Sequence, residues 1–76
     1  MNNKRRKQID KAIEMLTTAS NFIESIKSDE EEYMDNMPEN LQGSSRYSDA
    51  EDACNCLEDA ISDIESAIDN LNSASI

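Results

Sequence analysis

The chain has 76 residues, 37% of them hydrophobic, and its seventeen acidic against seven basic side chains give a formal charge of −10. That length bounds it to one domain and leaves no room for a deep enzyme cleft inside a core of its own. A single Gly and a single Pro exclude a low-complexity linker or a loop-rich β fold, and no apolar run approaches the ~18 residues that a bilayer span requires.

The chain opens on the basic tetrad Lys4-Arg5-Arg6-Lys7. No unbroken apolar stretch follows it, so it does not read as a secretory leader. A first helix is expected over about residues 6–36. Ile9, Ala12, Leu16, Ala19, Ile23 and Ile26 form an apolar seam, continued by Tyr33 and Met37. Ile13 and Met34 widen it on one side, Met15 and Phe22 on the other. This face covers about half of the helical cylinder. One partner helix covers only a narrow stripe, so helix one is expected to meet more than one neighbour.

The break lies at residues 37–44. Pro38 disfavours a helical Met37. Gly43 is expected to take a positive φ that a side chain would resist, and Ser44 or Ser45 to cap the next helix.

Helix two is expected over about residues 45–73. Tyr47, Ala50, Cys54, Leu57, Ile61, Ile64, Ile68 and Leu71 recur at alternating spacings of three and four, the pattern of a helical packing seam. Ala53, Ala60, Ala67 and Ala74 form a second row, each seven residues from the last. Small side chains there let another backbone approach closely. The opposite face is acidic and faces water.

The predicted fold is all-α: an antiparallel two-helix hairpin, each helix about 45 Å long. A two-helix layer leaves one side of each seam open, and so small a core seldom suffices without staples. Self-association into a dimeric or higher helical bundle is therefore expected, with Met15, Phe22, Ala53, Ala60 and Ala67 at the subunit interface.

Charge divides unevenly. Residues 1–27 carry six basic and three acidic side chains; residues 28–76 carry Arg46 and fourteen acidic ones. Lys4 to Lys11 are expected to lie beside Asp63, Glu65 and Asp69. The acids near the turn suit either simple solvation or a basic partner protein. Glu30, Glu31, Asp49 and Asp52 are the candidate partner-binding residues. Direct nucleic-acid binding is disfavoured, because phosphate neutralisation needs clustered Lys and Arg. No membrane partner is expected.

The chemistry of catalysis is sparse. There is no His, so the commonest general base and metal ligand is missing. Cys54 and Cys56 are two residues apart and lie about 200° apart on a helix, so they cannot bridge each other. Cys54 reads as a small buried apolar residue, and two Cys alone make a poor zinc site. Asp29 to Asp35 lacks the spacing of a calcium loop, and no nucleophile elbow or phosphate-binding loop exists. No catalytic residue, metal or cofactor is predicted. Arg46 and Tyr47 admit two readings. Arg46 pairs with Glu39 or Asp49 while Tyr47 packs in the seam, or the two residues hold an anionic nucleotide at the helix start.

The stretch Asn36-Met37-Pro38-Glu39-Asn40-Leu41-Gln42-Gly43-Ser44-Ser45-Arg46-Tyr47, with its acidic run before and Leu57-Glu58-Asp59-Ala60-Ile61 after, resembles small acidic proteins encoded in bacteriophages and prophages. The resemblance covers about residues 28–71. The Ala-x-x-x-Leu-Glu-x-Ala pattern from Ala53 to Ala60 is similar to the hairpin domain of phage proteins that sequester immune nucleotide signals. These likenesses imply a non-enzymatic binding protein in the cytoplasm of a bacterial host. Its implied role is that of an anti-CRISPR-like inhibitor acting through an acidic helical surface. A nucleotide sponge and a virion oligomerisation unit are the alternatives.

Overall fold

The computed structural model describes residues 1–76 and consists of two long helices packed side by side. α1 spans Asn3–Asp35 and α2 spans Ser45–Ala74, with a short 3₁₀ turn over Glu39–Leu41 between them. The molecule is a rod of 59 × 15 × 11 Å with a radius of gyration of 17.4 Å. A compact globule of this length would have a radius of about 11 Å. Only Met37, Ala50, Cys54 and Ile61 are buried.

α1 starts three residues earlier than its apolar pattern suggests. Asn2 has extended backbone, and its Oδ1 accepts a 2.8 Å bond from the Arg5 N–H, which satisfies one of the free donors of the first turn. At the other end, the Asn36 N–H donates to Glu32 and the Met37 N–H to Met34. Pro38 then prevents continuation. The connecting residues satisfy their own backbone: Leu41 donates to Pro38, Gln42 to Glu39 and Ser44 to Leu41. The Gln42 side-chain amide also reaches the Met37 carbonyl. Met37 thereby closes the seam at the turn end of the hairpin.

Gly43 departs from expectation. Its φ is not positive, and a Cβ added there would meet no heavy atom within 4 Å. The 3₁₀ turn reverses the chain with ordinary backbone angles, so no left-handed residue is needed. The Ser44 side chain also differs. Ser44 occupies the position before α2, but its hydroxyl donates back to the Leu41 carbonyl instead of accepting from α2.

The α2 seam is the one its spacing predicts: Tyr47, Ala50, Cys54, Leu57, Ile61, Ile64, Ile68 and Leu71 are all buried or half-buried. The α1 seam is rotated. Ile9, Leu16, Ile23 and Met37 face α2 as expected. Beyond Ala12, which is half-buried as expected, the alternate positions are Ile13, Ser20, Lys27 and Met34, while Ala19, Ile26 and Tyr33 are exposed. The rotation half-buries the larger Ile13 and Met34 against α2. It also brings in Lys27, whose aliphatic stem lies over the seam while its ammonium reaches outward. The Cys54 thiol donates to the Met34 thioether at 3.8 Å, and Lys27 lies 3.9 Å from Glu58. Together these contacts fix the register of the two helices.

The basic N-terminal turns do not pair with Asp63, Glu65 and Asp69. No ion pair joins these groups; Arg6 Nη2 instead donates to the Ile76 carbonyl at 3.0 Å. Ile9, Ile13 and Leu16 occupy the face turned to α2, which directs most of the flanking charges outward.

Candidate functional site

The antiparallel seam gives the hairpin two unlike edges. Side chains that flank a seam at the equivalent position on both helices emerge on the same edge. On one edge lie Asp10, Thr17, Glu24 and Glu31 of α1 with Glu51, Glu58, Glu65 and Asn72 of α2. On the other lie Ala12, Ala19, Ile26 and Tyr33 of α1 with Ala53, Ala60, Ala67 and Ala74 of α2. One edge is therefore acidic and the other apolar.

The acidic edge contains the larger of two depressions. It is an open groove of about 460 Å³ lined by Glu24, Lys27, Glu58, Asp59, Ile61, Ser62 and Glu65. Its lining combines four carboxylates with one ammonium, and Ile61 is its one apolar residue. Lys27 Nζ is 3.7 Å from Glu31 and 3.9 Å from Glu58. The only other ion pair, Lys11 with Glu14 at 3.8 Å, lies within α1. The remaining groove carboxylates face solvent without a cation. Like charges facing one another across a helix pair oppose the fold, so apart from the Lys27 pairs this edge contributes no folding benefit that accounts for its composition.

Charge also reaches the seam. Cys54 is buried, and its thiol is pushed above its ordinary range, first by removal from water and then by the neighbouring charges of Glu31 and Glu30, which Lys27 partly offsets. The thiol therefore stays protonated and poorly nucleophilic at neutral pH. Cys56 is exposed, and both cysteines are free.

The candidate residues named from sequence do not form one surface. Glu31 lies on the acidic edge beside Lys27. Glu30 is half-buried over the seam, while Asp49 and Asp52 are exposed and project from the outer side of α2. Arg46 is exposed and makes no ion pair, and Tyr47 packs in the seam. Arg46 borders the second depression, about 240 Å³, with Tyr33, Asn36, Met37, Pro38 and Leu41. Sequence reasoning passed over Glu24, Glu58, Asp59 and Glu65 as partner contacts. The signal available was their seven-residue recurrence on one flank of each seam: Glu24 with Glu31, and Glu51 with Glu58 and Glu65.

The interface candidates group better. Met15 and Phe22 are exposed to 63% and 66%, next to the apolar edge that carries Ala53, Ala60 and Ala67. No three or more Cys, Asp or Glu side chains are arranged to hold a metal ion, and no helix is long and apolar enough to cross a membrane. Comparison with known proteins finds no matching family model, curated relative or solved structure.

Proposed function

We propose that the protein is a non-enzymatic interaction module whose acidic edge captures a Lys- and Arg-rich segment of a partner protein. The observation that carries this reading is the groove itself. Glu24, Glu58, Asp59 and Glu65 line it with a single ammonium, that of Lys27, and one apolar residue, Ile61. A cationic side chain entering it meets several carboxylates at once and lays its methylene stem on Ile61. Such charge complementarity accelerates association and makes binding salt-dependent.

The finer reading is that the partner is a defence component of a bacterial host, inhibited in the host cytoplasm by a phage-encoded protein. It is supported only by the resemblance of the Asn36–Tyr47 turn and its flanks. A second reading, capture of an anionic nucleotide, is favoured by one observation: the unpaired Arg46 beside an apolar depression that includes Tyr33 and Leu41. The net charge of −10 works against it.

The test is calorimetric titration with a Lys-rich peptide as probe, at 50 and 300 mM salt, against the unmodified chain and a Glu58→Lys/Asp59→Lys variant. The acidic-edge reading expects binding that weakens at least tenfold with salt and is lost in the variant. Equal binding by the variant contradicts it.

A further inference from the structure

The apolar edge continues around α1 into a second complete seam. Ala12, Met15, Ala19, Phe22 and Ile26 recur at alternating spacings of three and four, as the α2-facing seam does. This second seam points roughly at right angles to the direction of α2. Its large members are uncovered: Met15 is 63%, Phe22 66%, Ile26 41% and Tyr33 48% exposed. Arg5 lies one heptad before Ala12 and Asp29 one heptad after Phe22, so opposite charges bound the apolar stretch.

We infer that this face is covered by a second copy of the chain, stacked antiparallel so that α1 lies on α1 and α2 on α2 in a four-helix bundle. Three features select this occupant. The first is charge. Residues 17–67, the turn half in this register, carry two basic and fourteen acidic side chains, whereas the rest of the chain carries five basic and three acidic. Antiparallel stacking sets each acidic half against a weakly basic one; parallel stacking sets the two acidic halves together. The second is shape. When Ala12 of one copy meets Phe22 of the other, Met15 meets Ala19, so the two most exposed large side chains of the helix face, Met15 and Phe22, each face an alanine. The same register brings Arg5 to Asp29 at both ends. Because the two-fold axis relates α2 to α2 as well, the Ala row then meets itself about Ala67, where small side chains permit close approach of the backbones. The third is area. The α1 faces overlap for about 36 Å from Arg5 to Asp29 and the Ala rows for about 21 Å from Ala60 to Ala74, and at a helix diameter of about 10–12 Å this gives roughly 600 Å² per partner, the lower end of specific interfaces. The acidic groove lies on the opposite edge and stays open, so the dimer displays two grooves facing away from each other.

The wild-type chain supplies its own probe. Cys56 is exposed while Cys54 is buried beside Met34, so brief reaction with a nitroxide reagent attaches one label per chain, as mass spectrometry verifies. Cys56 sits level with about residue 28 of α1, and the antiparallel register separates the two labels by about 33 Å along the rod. The expected results are a light-scattering mass of twice the 8.5 kDa chain at micromolar concentration and a dipolar distance beyond about 30 Å. A monomer, a higher oligomer, or a distance near 20 Å from parallel stacking would overturn the assignment. Phe22→Asp is expected to reduce the mass to that of one chain. If that variant unfolds instead, the Arg5→Glu and Asp29→Arg exchange decides. Each single change should weaken the dimer and the double change should restore it, and absence of restoration contradicts the register.

Discussion

Lys27 and Glu58 form the only ion pair that joins the two helices, with Nζ 3.9 Å from Oε2. Lys27 also holds Glu31 at 3.7 Å, and its own side chain is only 21% exposed. One ammonium therefore fixes the helix register and compensates the acidic groove. Its position in the seam, where an apolar residue would otherwise pack, makes it the place where the demands of fold and surface meet.

Replacing Lys27 by Met keeps the aliphatic stem over the seam and removes the charge. Glu31 and Glu58 are both more than half exposed, so each pair contributes about 0–1 kcal/mol. The melting temperature of Lys27→Met is expected to fall below that of the unmodified chain at low salt, and the gap to close in 1 M salt as charges are screened. A gap that persists in high salt assigns the loss to packing.

Gly43 has a backbone that any residue adopts and open space where a Cβ would sit. Gly43→Ala is expected to stabilise the hairpin by about 0.4–1 kcal/mol by restricting the unfolded chain. Urea unfolding measures this directly. A loss of stability would show that the turn needs glycine after all.

Cys54 gives the fold an alkaline limit. Burial raises its thiol above the ordinary 9.0, so the native state holds the proton more tightly than the unfolded chain. The resulting stability is fully present below pH 9.0 and is lost as the pH rises from there through the folded value. The stability advantage of the unmodified chain over Cys54→Ala is expected to shrink as the pH rises above 9.0 in urea unfolding. A constant difference contradicts the linkage.

Arg46 is exposed and unpaired, so Arg46→Ala is expected to change the unfolding free energy, read by urea titration, by no more than about 0.5 kcal/mol. The same variant leaves Lys-rich peptide binding intact if the acidic edge is the site. Loss of affinity for an anionic nucleotide in this variant would favour the second reading.

The hairpin was legible because its signals are local. Pro38 and the change in periodicity mark the turn, and the spacing from Tyr47 to Leu71 gives the α2 seam directly. The α1 seam was not legible in the same way, because α1 carries two apolar seams. Ile9, Leu16 and Ile23 serve the α2-facing one, and either Ala12 with Ala19 or Ile13 with Ser20 completes the pattern. Apolar count favours the first set; packing against α2 selects the second, with Lys27 and Glu30 included. That choice depends on the register of a partner helix, which periodicity within one helix does not contain. The same limitation hid the acidic groove. Counting carboxylates near the turn pointed to Glu30, Asp49 and Asp52, whereas the groove is assembled by pairing one flank of each seam. Gly43 was misread because a 3₁₀ turn reverses the chain without a left-handed residue.

The division of the hairpin into an acidic edge and an apolar edge is tested most directly by an amide chemical-shift map of the ¹⁵N-labelled protein titrated with the Lys-rich peptide. The account predicts the largest shifts at Glu24, Lys27, Glu58, Asp59, Ser62 and Glu65, with Ala12, Ala19, Phe22 and Ala60 unmoved. Shifts centred on Phe22 and the alanine row, with the groove residues silent, would contradict it.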